Sequence, residues 1–256
     1  MSALALSWRR RLSGAVCACA FVAGAPVALA ASAASEPQSS PEITAAEHLI
    51  FTVEHLHGVA PRTELDYELV ASGEGAKAND VVRVLVTSPG NAKSDAQVTD
   101  RSGAVTLPTE GLPCNPVIIY FLERDISEMQ ALTGGQRRYF QKRLRIALAE
   151  GPKIATATSR IGGKSVQVRQ IVVQPYLHDP NAQRFTRYIG KRYTFEFADG
   201  LPGQVALIRT EIPGPNDDFA HPVSTETLTF QAAVTKLREQ PKAPAAKPTD
   251  APRASR

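Results

Sequence analysis

The chain has 256 residues, 29 of them Lys or Arg and 25 Asp or Glu, for a net charge of +4. That length allows one domain with a substantial core, and three cysteines are too few for a disulfide-stapled scaffold. The charge sits at the ends: Arg9, Arg10 and Arg11 supply three positives and residues 236–256 carry six basic and two acidic side chains, so residues 31–235 are net −3, which excludes a nucleic-acid-binding domain built on a basic face.

Residues 1–30 read as an export signal. Trp8 precedes three arginines, residues 12–29 are apolar and small, and Ala28-Leu29-Ala30 fits a signal-peptidase site with cleavage after Ala30. The Ala/Gly richness and the cleavage site distinguish this run from a membrane span, so the mature chain is not membrane-spanning. Neither Cys17 nor Cys19 follows a good lipobox. Once both leave with the signal, only Cys114 remains, and stability must come from packing even in an oxidising compartment. Residues 31–46 form a Ser/Pro-containing linker. Residues 236–256 are Ala/Pro/Lys-rich without periodicity and predict a disordered basic tail.

Between these ends the chain reads mostly as strands. Residues 48–57 form the first and residues 63–72 the second. In the second, Leu65, Tyr67, Leu69 and Ala71 alternate with Glu64, Asp66, Glu68 and Val70, the period of a half-buried antiparallel strand. Residues 81–87 are denser in β-branched side chains and read as a central strand. Pro89-Gly90-Asn91 is a turn, and residues 96–107 are a hairpin about Arg101-Ser102-Gly103.

Residues 115–150 predict a helical hairpin inserted between the strand-forming halves. Asn115 is a good N-cap, and Pro116 suits the first helical position, where its missing N–H costs nothing. Ile119, Leu122, Ile126 and Met129 recur at helical spacing. Val117, Ile118, Tyr120 and Phe121 make the first two turns apolar nearly all round, so this end is covered on several sides or lies in a concave surface. Gly134 can end the helix in a left-handed conformation, and Thr133 with Gln136 resembles a capping box for the second helix. That helix carries Phe140, Leu144, Ala147 and Leu148 on one face and stops at Gly151-Pro152.

Strands resume at 154–160, 165–174, 187–197, 204–212 and 225–234. Pro202-Gly203 is the centre of a type II turn in DGLPG, and Leu228, Phe230, Ala232 and Val234 point inward in the last strand. The fold class is mainly β (α+β): a curled antiparallel sheet or half-barrel of nine or ten strands across residues 47–235. The strands are antiparallel because most links are too short for crossovers. The sheet is curled because one this wide does not stay flat, and the apolar helix start is the natural filler of its concave face.

Several groups are candidates for function, each with a plainer alternative. Ile118, Tyr120, Phe121, Leu122, Tyr193, Phe195 and Phe197 line a ligand cavity or simply pack as core. His55 and His57, two apart on a strand, share one face and suit Zn²⁺, or are exposed imidazoles at a strand end. Cys114, just before a helix N-terminus whose dipole favours the thiolate, is a reactive thiol or a small buried residue. Arg137, Arg138, Lys142, Arg143 and Arg145 meet anionic head groups or form a solvated face.

An export signal, a curled antiparallel sheet and an embedded helical hairpin together resemble exported proteobacterial proteins of unknown function; the segments IFTVEHLHG and ADGLPG are similar to such families. The architecture over residues 47–234 resembles the half-barrel of periplasmic lipoprotein carriers. That resemblance implies a hydrophobic cavity for a lipid or lipidated partner, and brings no functional residue with it.

The resulting expectation is a soluble periplasmic, non-enzymatic protein without a cofactor, binding a lipid or other hydrophobic ligand in the concave face of its sheet. One alternative is an envelope structural or interaction protein that meets an anionic partner through the basic helix and tail. Another is a metal- or thiol-dependent enzyme.

Overall fold

The computed structural model describes residues 43–88, 95–109 and 112–235. The expected signal, most of the expected linker, the expected tail and the Pro89-Gly90-Asn91 turn lie outside the described residues.

Residues 48–57, expected as a strand, are helix and turns. Thr44 caps α1 (Ala45–Glu47): its hydroxyl accepts the Glu47 N–H while the Glu47 carboxylate accepts the Thr44 N–H, both at 3.1 Å. The helix widens into one π turn, His48–Thr52. Ala46, Leu49 and Ile50 are the buried residues here, spaced i, i+3, i+4, which is a helical period. The capping box Thr44-x-x-Glu47 was the local signal for it.

Nine strands follow: β1 (Thr63–Gly73), β2 (Asp80–Ser88), β3 (Asp95–Asp100), β4 (Gly103–Val105), β5 (Ile154–Ile161), β6 (Lys164–Val173), β7 (Arg192–Phe197), β8 (Val205–Ile212) and β9 (Ser224–Thr235). They form one open antiparallel sheet, ordered β4-β3-β2-β1-β9-β8-β7-β6-β5. The halves of the chain meet in the middle, where β1 pairs along its whole length with β9. β4 and β5 are therefore the two edges, and the helices that join them must cross the face of the sheet. Four strand spacings separate β5 from β9, about 19 Å in a flat sheet, yet their Cα atoms approach within 8 Å. The sheet is curled.

Local irregularities move two expected boundaries. β7 starts at Arg192, because residues 186–188 form a 3-10 turn. In β9 the register shifts opposite Asp66 and Tyr67, leaving Gln231 without a partner. Such a bulge exchanges the two faces beyond it. Leu228 and Phe230 stay buried, whereas Val234, expected inside, pairs with Glu64 and is exposed. β2 lies inside the sheet as expected but turns only Val82, Val84 and Val86 to the core.

α2 (Pro116–Thr133) begins and ends as its sequence demands. The Asn115 side chain accepts the Val117 N–H, Pro116 opens the helix, and Gly134 (φ +68°) closes it. Val117, Ile118, Ile119, Tyr120, Phe121 and Leu122 are all buried, the helix start being sunk into the inner face of the sheet. The capping box expected for α3 (Arg137–Ala149) does not form. Gln136 is its N-cap without a side-chain bond, and the Thr133 hydroxyl instead donates to Met129 O and accepts the Gly135 N–H. Phe140, Leu144 and Leu148 face the core.

Candidate functional site

The N-terminus of α2 is a buried polar hub. Asn115 donates its backbone N–H to His55 Nδ1 at 3.1 Å, and its amide donates to Tyr67 Oη at 2.9 Å and to Gly203 O at 3.0 Å. His55 Nε2 bonds Leu49 O at 2.9 Å, so the ring is the neutral Nε2–H tautomer, the only form that accepts at Nδ1. Burial holds this imidazole down to about 4. His55 and His57 were expected to share a strand face. They lie in turns instead, one fully buried and stacked on Phe197 (5.1 Å between ring centres) and the other exposed beside Glu54. Among the described residues, no group of three or more His, Cys, Asp or Glu is placed to hold a metal ion.

Cys114 is buried one residue before the cap. Loss of hydration pushes its thiol up to about 12. The helix end that was expected to favour the thiolate is overridden by desolvation of the charged form.

The seven cavity candidates come together as packed core, none more than 5% exposed. Tyr120 lines a groove of about 450 Å³ beside β4, where its hydroxyl donates to Asp100 Oδ2 at 3.0 Å. Beneath the middle of α2 lies a second polar group that sequence reasoning missed. Asp125 pairs with Lys191 and accepts the Tyr193 hydroxyl at 2.6 Å; Tyr193 and Tyr176 hydroxyls are 3.1 Å apart. All four residues are buried. The available signal was a carboxylate at position 125 on the apolar stripe that carries Leu122 and Met129. Arg124 adds an ion pair to Glu226 of β9 at 2.9 Å, so α2 is tied to the sheet by charge as well as by apolar contact.

The basic cluster divides. Arg137 pairs with Glu123, and Arg143 reaches Asp179 at 2.8 Å and Pro175 O at 3.0 Å. Arg138, Lys142 and Arg145 are exposed, without an ion pair among the described residues, and line a groove of about 670 Å³ with Ile43, Glu47, Gln141, Ile146 and Ala149.

No family model matches the chain, and no curated protein does. Among solved structures, the crystal structure of the Mycobacterium tuberculosis lipoprotein LppX is similar at 9% identity and a TM-score of 0.27, over 68% of this chain and 88% of that one. At that level the likeness assigns no ligand. No helix among the described residues is long and apolar enough to cross a membrane.

Proposed function

We propose that this chain is exported to the periplasm, loses its signal after Ala30, and acts there as a binding protein for a lipid or another hydrophobic ligand. The ligand occupies the inner face of the curled sheet, with α2 as its cover. One observation carries this reading: the inner face is mostly apolar from β2 through β1, β9, β8 and β7, and the start of α2, apolar all round its first two turns, is sunk into it. A buried thiol and a buried, doubly bonded imidazole favour binding over thiol or metal chemistry.

The test is native mass spectrometry of the protein isolated from the periplasm of its own host, with organic extraction of the same sample. A bound mass that the solvent removes supports the reading. A bare chain that also fails to take up a fluorescent fatty acid or phospholipid overturns it.

A further inference from the structure

α3 carries two kinds of cation. Arg137 and Arg143 flank the helix and are used within the molecule, by Glu123 and by Asp179. Arg138, Lys142 and Arg145 stand at i, i+4 and i+7 on its outer side, a stripe roughly 10 Å long at the helical rise. They have no internal partner among the described residues. The one carboxylate in their groove, Glu47, is held by the backbone and hydroxyl of Thr44 at 3.1 and 3.2 Å. Beside the cations runs an apolar strip: Ile146, Ala149 and Ile43, the last 58% exposed. An open groove with three cations that make no ion pair among the described residues, set against one carboxylate and along an aliphatic strip, matches the boundary of an anionic bilayer, where phosphates meet the first methylenes.

We propose that this face of α3 docks the protein on anionic phospholipid membranes. The helix lies flat, because its other side is committed to the core through Phe140, Leu144 and Leu148. Arg138, Lys142 and Arg145 meet lipid phosphates while Ile43 and Ile146 reach the interface. This docking goes beyond binding beneath α2 and stands whether or not that site is filled.

The test is flotation of the full mature chain with vesicles of phosphatidylcholine alone, or of phosphatidylcholine and phosphatidylglycerol in equal parts. Wild type is expected to float with the mixed vesicles only. The Arg138→Gln/Lys142→Gln/Arg145→Gln variant, altered only at exposed positions, is expected to lose roughly a hundredfold in partitioning. Because the tail is also basic, Lys236→Gln/Arg238→Gln/Lys242→Gln serves as the comparison and should lose far less. The only tryptophan of the chain, Trp8, leaves with the signal, so Ile43→Trp reports on the groove and should shift to the blue on mixed vesicles. Equal binding to both vesicles, unchanged binding of the α3 variant, a greater loss from the tail variant, or bound protein without the Trp shift would each overturn the proposal.

Discussion

The side-chain amide of Asn115 donates to the backbone oxygen of Gly203, 88 positions away, at 3.0 Å. The residue that caps α2 thus also clasps the turn between β7 and β8. Gly203 has φ +76°, and a Cβ there would lie 2.5 Å from Leu65 Cδ1 and 2.8 Å from Asn115 Nδ2. Glycine is required both by the left-handed backbone and by the close approach.

Asn115→Ala removes a cap and leaves Tyr67 Oη and Gly203 O without their buried donor. We expect a loss of about 2–4 kcal/mol, read from urea unfolding midpoints. Gly203→Ala should cost roughly 2–4 kcal/mol through strain and overpacking. Gly200→Ala, where an added Cβ meets nothing within 4 Å, should be close to neutral in the same measurement.

Stability should fall on mild acidification, in part through His55. Its pKa is about 4 in the folded protein against 6.5 unexposed to burial. Below 6.5 the unfolded chain takes up a proton that the folded chain refuses, so stability is lost as pH drops from 6.5 toward 4 and rises with pH across the same window. The size is on the order of 3 kcal/mol. Urea unfolding at several pH values should show a shallower slope in His55→Asn than in wild type between those limits.

The Asp125–Lys191 pair is buried on both sides. Asp125→Leu or Lys191→Met alone should cost about 3–5 kcal/mol, because one charge is left without its partner inside the protein. Asp125→Leu/Lys191→Met should recover much of that. A double-mutant cycle read by thermal unfolding checks the coupling.

Cys114 should be silent to a thiol reagent in the native state and react fully once the chain is unfolded in urea. Its thiolate is disfavoured by burial, and in a chain prepared from residue 31 onward it is the one cysteine, so the titration is unambiguous. Rapid native labelling would contradict its placement.

Where the reading of residues went astray, a local rule met a competing one. Residues 48–57 carry apolar side chains at spacings that serve either a strand or a helix; the capping box at Thr44 and Glu47 decided for the helix. Val234 continues the alternation of β9 on paper, but one bulged residue reverses the faces beyond Phe230. Cys114 does sit at a helix N-terminus, yet burial outweighs the field of the helix end.

What the residues determined unaided is whatever depends on near neighbours along the chain. Asn115 and Gly134 set the ends of α2, Pro202-Gly203 made its turn with Gln204 N–H bonded to Leu201 O at 3.0 Å, and period-two patterns placed most strands. What only the folded chain decided is pairing between distant side chains: His55 with Asn115, Asp125 with Lys191, and which cations of α3 find a carboxylate. Such partners are set by where the sheet curls and how the helices cross it, and no spacing within a single segment encodes that.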